Sequence, residues 1–468
     1  MLDIIRLVIM LQKLYPFRWS TEDLQKIQER RFREMLRHAV NHSPYYRSRF
    51  AGIDVETCAV TDIPVLTKVE MMENFDDLVT DRRIKKADVQ KFISDPSNLG
   101  KLYLGRYGVS HTSGSQGQPA LIVQDRKALL LPFAARFTRG THRKRGRLSQ
   151  VHRIRNPARM SVLTQKPGFY PSASAFAYLP SGLSRVMKVL RLSIFEPMPE
   201  LISKLEAFRP NFITGYASAL ESLGREQEEG RLKLRDLGCL EQLTNVAEPL
   251  PKESAARLKK TFGVHIFDEY AMGECLALSS GCPATIASHI NIDLAKFEVT
   301  DETNTPLPPG TTGKKVLVTN LYNFIQPIIR YEVDDRVTIS PAACECGSPF
   351  PKVESIVGRS KDMLWIQVGG KVRELPYYVF INTMHHYIEM AEHQVIQTGL
   401  NTFLVRAAPL PGMELSAEKV HDIVWRALMA EGLAEAVTIN AEIVSEIPRG
   451  PHGKVARAQN TYGPPPKT

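Results

Sequence analysis

NFITGYASALESLGREQEEGRLKLRDLGCLEQLTNVAE, from Asn211 to Glu248, is the stretch on which the fold turns. Two short apolar runs, NFITG and LTNVAE, read as buried strands, and SALESLGREQEEG between them reads as a helix. The rhythm continues outward on both sides. SVLT (Ser161–Thr164) upstream and VHIFDEY (Val264–Tyr270) downstream also read as buried strands. Such alternation argues for α/β layers with mostly parallel strands. Ligands in these folds sit at the carboxyl ends of the strands. LTNVAE and VHIFDEY both end in polar residues suited to that position.

Upstream lies a helical entry over Thr21–His42, with Ser20 and Asp23 forming a capping box and Leu24, Ile27, Met35, Leu36 and Ala39 an apolar face. From His289 onward, AKFEVTDETNTPLPPGTTGKKVLVTNL reads as strand, turn, strand, an antiparallel unit. Beyond Gly358 a smaller α+β module begins. HQVIQTG, TFLVRAA and VTINAEIV are its strands, and Ser416 caps a helix with Val420, Ile423, Val424, Ala427 and Leu428 on its apolar face.

The chain has 468 residues, 43% of them hydrophobic and 24% charged, an ordinary globular composition. No apolar run approaches the ~18 residues of a membrane span. The start, MLDIIRLVIMLQKLYPF, carries Asp3, Arg6 and Lys13 and lacks the pattern of a signal peptide. It reads as a helix packed on the body of the protein, with peripheral membrane contact as the alternative. The net charge of +10 is one local feature. Between Arg126 and Ile194 there is no Asp or Glu but there are 15 Lys or Arg; without them 45 basic residues face 50 acidic ones. The excess is densest from Arg139 to Arg155, within a basic run from Arg136 to Arg159. A solvated loop, a site for cofactor phosphates and an acidic or nucleic-acid partner all fit it. No aromatics interleave Arg139–Arg155, so single-strand stacking is not supported and no nucleic acid is expected. Six cysteines without a signal peptide point to a reduced cytoplasmic setting, where clustered Cys suggest metal before disulfide.

TSGSQG, from Thr112 to Gly117, asks for a function. Gly114 and Gly117 allow close backbone approach, and Thr112, Ser113 and Ser115 supply hydroxyls. Successive N–H groups in such a loop can cradle an anion. It lacks the Lys of a Walker loop, and a solvated turn has the same composition.

In order along the chain come TSGSQG, AEP (Ala247–Pro249), EYAMGE (Glu269–Glu274), IIRYEVDDRV (Ile328–Val337), GRSKDM (Gly358–Met363) and PRGPHGK (Pro448–Lys454). This series resembles the adenylate-forming enzymes, the acyl-CoA synthetase superfamily. HSPYYRSRF and CECGSPFPKVE resemble its phenylacetate–CoA ligase and CapK-like branch. The resemblance implies a large multi-lobed N-terminal α/β domain with a β subdomain (residues 1–357), a hinge (358–362) and a small mobile α+β C-terminal domain (363–468). It implies ATP- and Mg²⁺-dependent activation of a small-molecule carboxylic acid as an acyl-adenylate. The acyl group then passes to coenzyme A, with a carrier-protein thiol or an amine as alternative acceptors. Transfer of AMP itself is a third outcome.

The resemblance also implies roles. Thr112, Ser113, Gly114, Ser115 and Gly117 would hold the β- and γ-phosphates. Ala247, Glu248 and Pro249 would line the adenine, and Tyr270 would lie near the adenine or the acyl group. Glu274 would bind Mg²⁺, Asp335 the ribose hydroxyls and Arg359 ribose or phosphate. Lys454 would be the mobile catalytic cation. Tyr216 and Ala217 would shape the acyl pocket, and a homodimer fits the branch. Cys282, His289, Cys344 and Cys346 resemble its structural zinc site, with free thiols as the alternative and Cys275 as the reserve ligand. EYAMGE departs from the family in Ala271, where Gly is usual, and Gly273, where Thr or Ser is usual. A phosphate-touching hydroxyl is therefore absent, which with the basic run motivates a rival reading: a non-catalytic module that binds nucleotide or polyanion.

Overall fold

The computed structural model describes residues 10, 14, 19–112, 119–139, 157–164, 168–171, 176–179, 187–194, 196–248, 250, 252–359, 363–376, 379–380, 384, 389–409, 412–430, 432–448 and 458–462. The chain divides into two compact units. The first is built on Met1–Ser113, Ala120–Val333 and Val337–Ser355, the second on Asp334–Arg336 and Ile356–Thr468. Among the described residues no helix is long and apolar enough to cross a membrane.

The first unit opens with α1 (Thr21–His42). Ser20 caps it by accepting from the Asp23 N–H at 3.1 Å, while Asp23 accepts from the Ser20 N–H at 3.0 Å. Its buried face is Leu24, Phe32, Met35, Leu36 and Ala39. That face joins a core with an antiparallel hairpin, β1 (Tyr107–His111) and β2 (Leu121–Asp125), whose register pairs Tyr107 with Asp125 and His111 with Leu121. The hairpin runs into α2 (Arg126–Arg139).

The central layer follows. β3 (Ala158–Thr164), β4 (Met187–Ser193), β5 (Phe212–Gly215), β6 (Gln242–Val246) and β7 (His265–Glu269) form one sheet in the order β4-β3-β5-β6-β7. Every neighbouring pair in it is parallel. From β4 to β7 the crossovers are α3 (Met198–Phe208), α4 (Ala217–Glu228) and α5 (Lys252–Phe262). Leu163, Ile213, Leu243 and Ile266 on the strands bury against Leu205, Leu220, Leu258 and Phe262 on the helices. The sheet needs these helices because a parallel strand is reached only by a crossover. All four strands read from the sequence are here. β4 was not among them, because MKVLRLS alternates charged and apolar residues and shows only partial burial.

Antiparallel strands complete the unit: β8 (Ser279–Gly281) with β9 (Ser288–Ile290), then β10 (Ala295–Thr300), β11 (Lys315–Asn320) and β12 (Tyr331–Val333) in that order. β13 (Asp335–Ile339) pairs with β14 (Val353–Arg359). In the second unit β15 (Met363–Val368) and β16 (Lys371–Pro376) form a hairpin. A four-stranded sheet has the order β19-β18-β17-β20, from β17 (Met390–Gly399), β18 (Thr402–Pro409), β19 (Thr438–Ile443) and β20 (Ala458–Asn460). α6 (Ala417–Ala430) packs on it through Val420, Ile423, Val424 and Leu428, and Ser416 Oγ accepts from the Lys419 N–H at 3.2 Å.

Candidate functional site

Parallel pairing decides which residues meet. β5, β6 and β7 run side by side, with Gly215 opposite Asn245 and Val246 opposite Glu269. Their carboxyl ends therefore share one edge, and that edge carries Tyr216, Ala247, Glu248 and Tyr270. Tyr216 precedes the first turn of α4, and Ala217 is its first residue and buried. Ala247 is exposed and left-handed at φ 65°, a conformation that disfavours any residue but glycine. Tyr270 is buried; its N–H donates to Ser279 Oγ at 2.8 Å and its ring meets Phe297 edge-on at 6.2 Å.

The polar residues that end β6 and β7 have partners that the sequence did not show. Asn245 is fully buried, and its Nδ2 donates to the Glu248 carbonyl and to Asp268 Oδ1, both at 2.7 Å. One amide thus ties the left-handed turn to the next strand. Burial pushes the Asp268 carboxyl up to about 6, against the pull of the Asn245 hydrogen bond and helped by Glu269. Arg136 grips Glu269 with two bonds, 2.9 and 2.6 Å. The available signal was a polar residue inside each apolar strand, which a buried strand admits only when it finds a partner.

Glu274 is 8% exposed. Its Oε1 accepts from the Tyr331 hydroxyl at 2.9 Å, and its carbonyl accepts from Asn320 Nδ2 at 2.8 Å. Thr112 stands where the β1–β2 hairpin opens into its loop. Its N–H donates to the Ala120 carbonyl at 2.8 Å, and its Oγ1 accepts from the Ala120 N–H at 3.0 Å. In the second unit, Asp335 and Arg359 face each other, Oδ1 to Nε 3.4 Å. Ser113, Gly114, Ser115, Gly117, Pro249, Lys361 and Lys454 lie outside the described residues, as do residues 140–156 of the basic run. The described basic residues around that run are engaged internally. Arg136 holds Glu269, Arg139 holds the fully buried Asp293 at 2.8 Å, and Arg159 Nε donates to the Arg209 carbonyl.

The ligand atoms of Cys282, His289, Cys344 and Cys346 all lie within 4.8 Å of one another. Cys282 Sγ is 3.7 Å from Cys344 Sγ, and Cys346 Sγ is 3.4 Å from His289 Nε2. His289 Nδ1 lies 3.0 Å from the Phe350 carbonyl, so with the proton on Nδ1 the other nitrogen is left to face the thiols. The Ala284 and Thr285 N–H groups donate to Cys282 Sγ at 3.4 Å. Burial opposes ionisation of Cys282, but hydrogen bonds from His289, Thr285 and Ala284 outweigh it and bring the thiol down to about 6. Three thiols and an imidazole converging in this way form a donor set suited to zinc. Cys275 is outside the cluster, and burial pushes its thiol up to about 12.

Comparison with known proteins shows what this chain is similar to. Its fold is similar to that of solved CoA ligases. The 2-hydroxyisobutyryl-CoA ligase in its postadenylation state, in complex with 2-HIB-AMP, superposes with a TM-score of 0.64 at 19% identity, over 94% of this chain and 90% of that one. In sequence, the relatives are phenylacetate–coenzyme A ligases and CapK. The phenylacetate–coenzyme A ligase of Thermus thermophilus is 25% identical over 356 residues, 74% of this chain and 72% of the relative. Protein CapK of Staphylococcus aureus is 20% identical over 396 residues, 82% and 78% of the two chains. No protein-family model matches the chain.

Proposed function

We propose that the protein is an AMP-forming acid–thiol ligase. A substrate carboxylate oxygen attacks the α-phosphorus of ATP and pyrophosphate leaves. The thiolate of coenzyme A then attacks the acyl carbonyl and AMP leaves. The observation that carries this reading is the edge where β5, β6 and β7 end. It gathers Tyr216, Ala247, Glu248 and Tyr270 in a chain whose sequence relatives are phenylacetate–CoA ligases.

Each residue has a matching task. The exposed left-handed turn at Ala247 presents backbone to a flat base, and Asn245 and Asp268 hold that turn. Tyr216 and Ala217 bound the acyl group, and Tyr270 lies between acyl group and base. Glu274, oriented by Tyr331, would hold Mg²⁺, which when bound supplies charge stabilisation to the phosphates. Thr112 starts the loop that would embrace the departing pyrophosphate together with Ser113, Gly114, Ser115 and Gly117. Asp335 would accept from both ribose hydroxyls, and its contact with Arg359 sets a cation beside the sugar. Lys454 would stabilise the charge that develops during adenylation. Cys282, His289, Cys344 and Cys346 would hold a structural zinc, because four protein ligands leave no open position.

The test mixes protein, MgATP, coenzyme A and a panel of aryl, acyl and amino acids, and detects AMP and acyl-CoA by mass spectrometry. One acid is expected to yield both products. Lys454→Ala is expected to reduce AMP formation by on the order of 100-fold, the scale of losing one preorganised charge. AMP without acyl-CoA would redirect the acyl group to a carrier thiol or an amine. Neither product with any acid, from folded protein, would contradict the reading.

A further inference from the structure

Gly273 precedes Glu274, and a Cβ placed on it would stand 2.8 Å from Pro171 Cγ and 2.9 Å from Thr112 Cγ2. A side chain at 273 therefore requires its neighbours to move. Thr112 has little freedom to do so. Its methyl and hydroxyl share one Cβ and turn together. Swinging the methyl away would carry Oγ1 off the Ala120 N–H. Ala120 is fully buried, and an unpaired buried donor costs about 1–3 kcal/mol. The Thr112 N–H, bonded to the Ala120 carbonyl, closes the second half of the same clamp. Methyl and hydroxyl thus do two jobs at once: one fills the space over Gly273, and the other locks the neck of the β1–β2 loop.

We propose that Gly273 is a positioning residue for this loop: its missing side chain is the space that lets Thr112 clamp Ala120 and so set the loop's neck. The inference rests on the proposed function, in which the loop holds the phosphates. It gives the departure from the family pattern at 273 a constructive reading, a different bracing of the loop in place of a lost hydroxyl contact.

The experiment compares wild type, Gly273→Ala, Gly273→Ser, Thr112→Ser and the double variant Gly273→Ala/Thr112→Ser. Thr112→Ser deletes Cγ2 and keeps the hydroxyl. The readouts are acid-dependent ATP–pyrophosphate exchange, with KM for ATP, pyrophosphate and acid taken separately, direct MgATP titration by calorimetry, and the thermal midpoint. Both single substitutions at 273 are expected to raise the KM for ATP and pyrophosphate by about tenfold, the scale of an overpacked contact, with the KM for acid little changed. The double variant is expected to recover a large part of that loss relative to Gly273→Ala. A merely structural role would move the thermal midpoint and all three KM values together, and would overturn the proposal. So would Gly273→Ser matching or exceeding wild type, because an added hydroxyl would then be a gain. Absence of recovery in the double variant would overturn it as well. Wild type that neither exchanges pyrophosphate nor binds MgATP would refute the ligase reading, and this inference with it.

Discussion

The Cys/His cluster and the carboxyl edge of the parallel sheet lie in the same unit and are built in opposite ways. In the cluster, side chains carry the chemistry: three thiols and one imidazole converge within 4.8 Å. At the sheet edge, much of the work falls to the backbone: a left-handed Ala247 in a turn tied by the buried Asn245. A donor set announces itself by residue type. A backbone shape announces itself only by what it forbids.

That contrast can be broken most forcefully at the cluster. Protein purified without added metal is expected to carry zinc, and Cys344→Ser to lose it together with about 3 kcal/mol or more of stability, the range for removing a structural metal. The KM for ATP of the remaining folded protein is expected to stay within about twofold. Elemental analysis, denaturant unfolding and exchange kinetics check this. A metal-free wild type, or a KM that follows the metal, would contradict a structural role for the cluster separate from the proposed nucleotide site.

A smaller effect sharpens the other side. Ala247 pays for its positive φ. Ala247→Gly is expected to change stability by less than about 0.5 kcal/mol, because relief of strain and added chain entropy oppose each other. Ala247→Val is expected to lose about 1–2 kcal/mol, since a branched side chain fits that conformation worst. Urea unfolding distinguishes the two, and equal losses would remove the backbone argument at this turn.

The smallest effect concerns Asp268. Its ordinary value is 3.8, and burial raises it to about 6. Between those values the folded protein keeps a proton that the unfolded chain releases, so this group makes stability fall as pH rises through that window. Asp268→Asn is expected to flatten the fall, read from unfolding free energies on either side of it. An unchanged slope would mean that Asp268 is solvated in the native edge.

The same contrast explains what could be read from sequence. α1 and its capping box, the central strands β3, β5, β6 and β7, and the helix α6 behind Ser416 were all legible, because periodicity and caps are local. The hairpin around TSGSQG was not, because small polar residues at its turn masked the pairing of Tyr107–His111 with Leu121–Asp125. Nor were the partners Asn245–Asp268, Arg136–Glu269 and Glu274–Tyr331, which are 23, 133 and 57 residues apart and joined only by the fold. The +10 excess drew attention to the basic run from Arg136 to Arg159, and only the fold shows that Arg136 and Arg139 in it close internal ion pairs.

The most direct test of the central claim is ATP–pyrophosphate exchange without coenzyme A, run with wild-type protein across a broad panel of carboxylic acids. Label from pyrophosphate is expected to enter ATP only when Mg²⁺ and one fitting acid are both present, because the acyl-adenylate forms before any thiol is needed. Exchange that is absent with every acid while MgATP still binds would contradict it, and would leave a nucleotide-binding protein in place of a ligase.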